Sequence, residues 1–174
     1  EKQYYRMITS GFLHADWMHL FFNMFTLYFF GRNIEIIFTF YGLGGKAAYL
    51  ILYFLALVIS DLPSYLKHQD DPDYRSLGAS GAVSAVVFAV IVFQPWSSIY
   101  LYGAIRISAA VYAVLYIIYC VYMGRKGGDN INHDAHLWGA IFGIVFTLGL
   151  ISALQPDMFT YIMEELKRPS LLGR

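Results

Sequence analysis

Charged side chains are scarce in this sequence. Of its 174 residues only 14% are charged, whereas 58% are hydrophobic, and the net charge is zero. A soluble domain of this length carries about 25% charged residues, so this chain lacks the polar side chains needed to cover a water-facing surface. The balanced charge also offers no basic surface for nucleic acid, and we expect no such partner. The composition is typical of a membrane protein.

Cysteine occurs once, as Cys120, which excludes an intramolecular disulfide. We interpret Cys120 as a small apolar residue within a helix. The five histidines include no H-E-x-x-H arrangement, the pattern of many zinc enzymes. The nearest approach, "HDAH", has two histidines three residues apart and no glutamate. We therefore expect no metal and no other cofactor.

Acidic and basic residues are absent from three long apolar segments, 77–105, 107–124 and 137–156. Each is about as long as the ~20 residues of helix that cross a membrane, and two shorter segments extend to spans if one flanking charge faces other helices or the interface. The sequence predicts an all-α, polytopic membrane helix bundle with about five spanning helices. Their expected ranges are 17–37, 45–66, 78–94, 100–123 and 135–154. Strands are disfavoured, because the segments do not alternate in the manner of a barrel.

These segments form one predicted membrane domain, residues 1–154, without an internal repeat. The remaining residues, 155–174, form a polar tail that is too hydrophilic to span a bilayer. The apolar residues in the middle of this tail have helical spacing, which predicts a short interfacial helix.

Burial of a polar side chain in a membrane helix costs free energy, so each such residue requires an explanation. The segment "HADWMHLFFN" places His14 before the first predicted span and His19 and Asn23 four residues apart within it. At that spacing both side chains lie on one helix face. One interpretation is structural, because histidine and asparagine form hydrogen bonds between membrane helices.

A second polar pair begins two other predicted helices. In "DAHLWGAIFG", His136, Gly139 and Gly143 lie on one helix face, and the two glycines allow a neighbouring helix to approach closely. A matching stripe of small residues begins at Gly81, directly after Ser80. Contact between the two stripes would bring Ser80 to His136 at the same depth in the membrane.

This pairing suggests nucleophilic catalysis. A serine hydroxyl becomes a good nucleophile when a base removes its proton, and histidine is the usual base. Free backbone N–H groups at the start of the Ser80 helix, with His19 and Asn23, could stabilise an oxyanion. The soluble-type G-x-S-x-G elbow does not fit, because Ala82 occupies its last position. We expect a Ser-His dyad rather than a triad.

Three motifs resemble those of the rhomboid intramembrane serine proteases. "GASG" around Ser80 is similar to the family's G-x-S-G motif, "AHLWGAIFG" to its A-H-x-x-G-x-x-x-G motif, and "HADWMHLFFN" to its H-x-x-x-x-H-x-x-x-N motif. They occur in the family's order along residues 4–154. The resemblance implies that Ser80 is the nucleophile and His136 the general base, while His19, Asn23 and the Ser80 amide form the oxyanion hole.

The resemblance also implies supporting roles. His14 matches a position in the water-holding cavity. Arg6 matches an arginine of the first loop and Glu35 the glutamate that follows the second helix, and we interpret both as structural anchors that form hydrogen bonds. The motif glycines have structural roles, namely Gly78, Gly81, Gly139 and Gly143. His133 precedes the expected base by three residues, and we expect it to lie in a loop or at the rim of the site.

Two departures from the family pattern affect these expectations. The family core has six helices and this chain begins within the first loop, so we expect the first helix to be missing. Relatives often carry an aromatic residue four positions after the serine, where this chain has Ser84. We therefore expect another group, such as a tyrosine, to support His136.

The resemblance implies an intramembrane serine endopeptidase that cleaves transmembrane protein substrates within membrane lipid. We expect a multi-pass protein of a bacterial inner membrane whose site opens to the extracytoplasmic side. Two alternatives stay open. One is an inactive rhomboid-like protein that binds membrane clients, and the other is a channel or transporter, which would distribute its polar residues over several depths.

Overall fold

The structure is a computed structural model that describes residues 5–71, 73–101 and 103–173. Within these ranges the chain forms helices and one antiparallel hairpin. The helices are α1 (Arg6–Thr9), α2 (Trp17–Thr26), α3 (Arg32–Phe40), α4 (Gly45–His68), α5 (Ser80–Phe93), α6 (Ala109–Lys126), α7 (His133–Leu154) and α8 (Met158–Leu166). The hairpin pairs β1 (Ser98–Leu101) with β2 (Ile105–Ser108). The predicted helical bundle is confirmed, while the exact number of spans stays a prediction.

Helix α5 is the centre of the bundle. Every residue from Gly81 to Ile91 is buried, because α5 is apolar on all faces and such a helix is stable only when surrounded. It packs mainly against α7 and α4, with α6 and the α2–α3 segment completing its surroundings. The first residue of this central helix, Ser80, is thus held by the best-packed part of the molecule.

The outer surface is apolar where the long helices face outward. Large side chains that are more than half exposed include Phe21, Phe25, Ile118 and Val145. Two helices, Gly45–His68 and His133–Leu154, are long and apolar enough to cross a membrane by themselves. Exposed apolar area on this scale is unfavourable in water and is satisfied by lipid.

The first predicted span is one continuous helical segment with a π-turn in its middle. Helices α2 and α3 are joined by π-helical residues Leu27–Gly31, so helix continues to Phe40 rather than ending near residue 37. Gly31 lies against Tyr49 of α4, where an added Cβ would be 2.8 Å from the tyrosine hydroxyl. The missing side chain lets α4 approach at this turn.

The predicted helix over 100–123 is wrong in its first part. Residues Ser98–Leu101 and Ile105–Ser108 form the hairpin, and α6 begins only at Ala109. Gly103 has a φ of 72°, a conformation that favours glycine in a turn, and the Ser108 hydroxyl caps α6 by accepting from the Val111 N–H at 3.3 Å. The expectation that strands are disfavoured failed here because short apolar strands and helices have similar composition.

The small-residue stripes of α5 and α7 are in contact. A Cβ added to Gly139 would overlap the carbonyl oxygen of Gly81, and one added to Gly143 would overlap that of Ala85. Gly81 is itself pressed against the Ser60 hydroxyl of α4. The two helix backbones therefore approach as closely as glycine permits, and this contact sets the distance between the first turns of α5 and α7.

Helix α8 packs on the end of the bundle opposite Ser80. Ile162 is buried, and the Trp96 indole N–H donates to the Glu165 carbonyl at 2.7 Å. The division into a membrane domain of residues 1–154 and a tail of residues 155–174 stays a prediction, although this part of the tail contacts the bundle.

Candidate active site

Ser80 and His136 meet at the start of α5 and the first turn of α7. The Ser80 Oγ and the His136 Nε2 are 2.7 Å apart, a hydrogen-bond distance that places the hydroxyl against a potential base. The glycine contact between the two helices produces this pairing, since it fixes α7 directly beside α5. The geometry selects His136 rather than His133 as the partner of Ser80.

Helix α5 is short relative to the thickness of a membrane. The helix has 14 residues and is therefore about 21 Å long at 1.5 Å per residue. A bilayer core is about 30 Å thick. A helix of this length does not cross the whole hydrocarbon core.

Hydrogen-bond donors lie around Ser80 without protein partners. No side chain caps the N-terminus of α5, so its first backbone N–H groups are available to a ligand. Gly78 has a φ of 103°, and a Cβ there would be 2.6 Å from the His19 Nε2, which shows how closely this loop covers the His19 ring. One turn along α2, Asn23 is buried and its Nδ2 has no hydrogen-bond partner among the described residues.

His14 lies beside His19 at the entrance to α2. The two rings form an edge contact with centroids 5.1 Å apart. Asp16 caps α2 at this point, since its carboxylate accepts from the backbone N–H of His19 at 2.8 Å. Desolvation, together with the neighbouring His19, lowers the pKa of His14 below its usual value. His14 is therefore favoured as a neutral imidazole, which can donate and accept hydrogen bonds.

The aromatic support for His136 comes from Tyr116 of α6. The two rings are stacked at an interplanar angle of 24° with centroids 6.3 Å apart. Ser84 donates to the Ser80 carbonyl at 2.8 Å and is 2.6 Å from the Tyr116 hydroxyl. Because Ser84 has one proton to donate, Tyr116 is the donor in the second bond. The small residue at position 84 and the tyrosine on α6 together fill the place expected for one aromatic side chain.

His133 is not the loop or rim residue that we expected. It is the first residue of α7 and is only 3% exposed. Its Nε2 is 3.0 Å from a carboxylate oxygen of Asp129, and its ring contacts His136 edge-on. The loop bends back at this point, because Asn132 caps α7 by accepting from the Ala135 N–H at 3.0 Å.

A polar network lies beside the first turns of α5 and α7, and the sequence did not predict it. The Asn132 amide donates to Ser76 Oγ at 3.0 Å and to Asp61 at 3.3 Å, and its oxygen accepts from Ser64 at 2.9 Å. This single side chain connects α4, the loop before α5 and the start of α7. Asparagine before a helix is a known capping signal, but the partners of its side chain cannot be read from the sequence.

Comparison with known proteins agrees with this geometry. A family model described as the Rhomboid domain matches residues 1–153. The chain belongs to the rhomboid family. Together with the apolar helices, this membership makes it a membrane protein. No solved structure matches the chain.

Two curated rhomboid relatives are from Arabidopsis thaliana. RHOMBOID-like protein 12, mitochondrial, is 33% identical over 77% of this chain and 43% of its own length, and Rhomboid-like protein 11, chloroplastic, is 31% identical over 82% and 51%. YdcA of Bacillus subtilis is 27% identical over 83% of this chain and 66% of its own length. This rhomboid chain thus spans about half the length of the curated relatives it matches.

The remaining predicted residues of this rhomboid chain have structural surroundings. Glu35 lies in α3, where its carbonyl accepts from the Thr39 hydroxyl, and Arg6 begins α1. Hydrogen bonds from the side chains of Arg6 and Glu35 are not found within the described residues, so their predicted anchoring by such bonds is not seen. Gly81, Gly139 and Gly143 form the helix contact described above, and Gly78 covers His19.

Proposed function

We propose that this rhomboid is an intramembrane serine endopeptidase, with Ser80 as nucleophile and His136 as general base. The observation that carries the proposal is the 2.7 Å contact between Ser80 Oγ and His136 Nε2. A serine hydroxyl beside an imidazole nitrogen is the arrangement that activates serine for attack on a carbonyl.

The surrounding groups support each chemical step. His136 accepts the Ser80 proton as the hydroxyl attacks a substrate carbonyl, and returns it to the leaving amine. The N–H groups at the start of α5, with His19 and the unpartnered Asn23 amide, stabilise the negative oxygen of the intermediate. Water reaches the site from the aqueous side near His14 and hydrolyses the acyl-enzyme.

The substrates we propose are transmembrane segments of other proteins. A substrate helix approaches through lipid and unwinds near its end, because the peptide bonds of an intact helix are shielded from attack. We place the protein in a bacterial inner membrane with the site facing the extracytoplasmic side. The match to YdcA, which is from the bacterium Bacillus subtilis, supports a bacterial membrane, whereas other relatives are named for mitochondria and chloroplasts.

A fluorophosphonate probe tests the proposal without knowledge of the substrate. Detergent-solubilised protein is labelled beside Ser80→Ala, His136→Ala and His133→Ala variants. We expect labelling of the parent and of His133→Ala, and none of the two dyad variants. Labelling that survives in His136→Ala would refute the assigned base. Absence of labelling in a folded parent would favour the alternative, a rhomboid-like protein that binds membrane clients without cleaving them.

A further inference from the structure

A cluster of potential metal ligands lies behind the dyad. One ring nitrogen each of His133 and His136 and the sulfur of Cys120 all lie within 4.8 Å of one another. Cys120 and His133 are buried. The cluster joins α6 to α7, so its members are brought together only by the fold, and the H-E-x-x-H search could not find it.

The hydrogen bonds around the two histidines leave ligand atoms free. The Asp129 carboxylate only accepts, so His133 carries its proton on Nε2 and the lone pair of a neutral ring is on Nδ1. That Nδ1 is buried and has no hydrogen-bond partner among the described residues. His136 uses Nε2 toward Ser80, which leaves its Nδ1 as the nitrogen available for a second contact.

The Asp129 carboxylate orients the His133 ring in the way that carboxylates orient histidines at metal sites. Histidines that bind metals usually donate the other ring N–H to a carboxylate, which fixes the tautomer and makes the ligand nitrogen more basic. Here Asp129 performs that role at 3.0 Å. A buried imidazole that is oriented in this way, with its opposite nitrogen unpartnered, is the arrangement of a site prepared for a ligand.

We propose that Cys120, His133 and His136 bind Zn²⁺. One thiolate and two imidazoles suit this borderline-soft ion, which takes four ligands in a tetrahedron with a water in the open position. At Zn–S and Zn–N distances near 2.3 and 2.1 Å, the donor atoms would be about 3.6 Å apart. Side-chain adjustments of about 1 Å complete the site, and binding releases the thiol proton to solvent.

Bound zinc would inhibit the Ser80–His136 dyad. With the metal on Nδ1, the neutral His136 ring carries its proton on Nε2, facing Ser80. That nitrogen then has no lone pair to accept the serine proton, so the nucleophile is not activated. Zinc is therefore a reversible inhibitor that acts on the base itself. This consequence rests on the proposed protease function, whereas the metal site does not.

Cobalt spectroscopy tests the site independently of activity. Metal-free protein in detergent is titrated with Co²⁺, and coordination by Cys120 produces a thiolate-to-cobalt charge-transfer band in the near ultraviolet. Because Cys120 is the single cysteine, we expect the band to vanish in Cys120→Ser. The control is His68→Ala, a histidine outside the cluster, which should keep the band. Absence of the band in the parent protein overturns the proposal.

Labelling by the fluorophosphonate probe tests whether zinc inhibits the Ser80–His136 dyad. We expect Zn²⁺ to slow labelling of the parent protein and a chelator to restore it, while labelling of Cys120→Ser is insensitive to zinc. Asp129 lies on the exposed loop, and Asp129→Asn should weaken the inhibition by zinc about 10- to 100-fold. This variant keeps the test valid if Cys120→Ser does not fold. Equal inhibition of the parent and both variants overturns the proposal. If metal-free protein is not labelled at all, the protease function fails and the cobalt band still decides the metal site.

Discussion

At the residue scale, we expect the Tyr116 ring, which stacks on His136, to position the proposed base. Tyr116→Ala removes the stacked partner of His136, and we expect probe labelling to slow by about 10- to 100-fold because a small misplacement of a reacting group has effects of this size. Tyr116→Phe retains the ring and should remain within a few-fold of the parent. Tyr122→Ala, an exposed tyrosine of the same helix, is the matched control. Equal rates for Tyr116→Ala and the control would contradict the assigned role.

Substitution of Asn23 should lower activity without lowering the stability of the fold. As an oxyanion donor its loss in Asn23→Ala should lower the labelling rate by about 10²- to 10³-fold. Its buried Nδ2 has no partner among the described residues, and an unsatisfied buried group destabilises a fold by about 1–3 kcal/mol, so the melting temperature should not fall. Ser64→Ala is the comparison, since that buried hydroxyl donates to Asn132 and its loss should lower the melting temperature. A lower melting temperature of Asn23→Ala would show that the amide has a structural partner.

His14 should make the stability of the fold depend on pH. Its pKa is lowered in the folded state, first by desolvation and then by His19, from an ordinary value of 6.5. The unfolded chain therefore takes up a proton at a higher pH than the folded protein does, so stability declines as the pH falls below about 6.5 until the folded pKa is reached. We expect His14→Gln to weaken this decline in thermal unfolding measured at several pH values. An unchanged pH dependence of the variant would assign the effect to other groups.

At the scale of the elements, the contact between α5 and α7 is the most sensitive part of the bundle. Gly139→Ala and Gly143→Ala each force a methyl group into the backbone of α5, and overpacking of this kind destabilises by about 1–3 kcal/mol. Gly149 is on the same helix but has nothing within 4 Å of an added Cβ, so Gly149→Ala should be neutral or stabilising. Thermal unfolding of the three variants in one detergent makes the comparison. Similar losses in all three would mean that helix flexibility, not close packing, requires glycine.

At the scale of the whole molecule, the five crossings predicted from the sequence would place the loops on alternating sides of the membrane. The segments before α5 and before α7 share the face of Ser80, whereas the hairpin and α8 lie at the opposite face. In a Cys120→Ser background, Asp73→Cys and Asn130→Cys should react with an impermeant maleimide from one side of a sealed vesicle. Ala104→Cys and Asp157→Cys should react only from the other side. Labelling of Asn130→Cys and Asp157→Cys from the same side would show that α7 does not cross the membrane.

Much of the bundle could be predicted because membrane helices are recognisable from apolar length. The ranges expected for α4, α5 and α7 agree with the structure within about two residues at each end. The hairpin at Ser98–Ser108 could not be predicted in the same way, because a segment rich in apolar residues with one glycine fits a helix or a pair of short strands. Pairing between β1 and β2 and contacts to residues distant in the chain, such as Arg106 with Gly173, decide between the two.

The sequence by itself determined a membrane helix bundle and brought attention to Ser80 and His136, because scarce polar residues in apolar helices are conspicuous and glycine spacing indicates close packing. Only the tertiary structure decided what surrounds them. Tyr116, Asn132 and the burial of His133 depend on which helices meet and at what height, and side-chain contacts between distant segments leave no local pattern in the chain. Cys120 shows the difference most clearly, since an apolar filler in the sequence becomes, beside two histidines, a potential metal ligand.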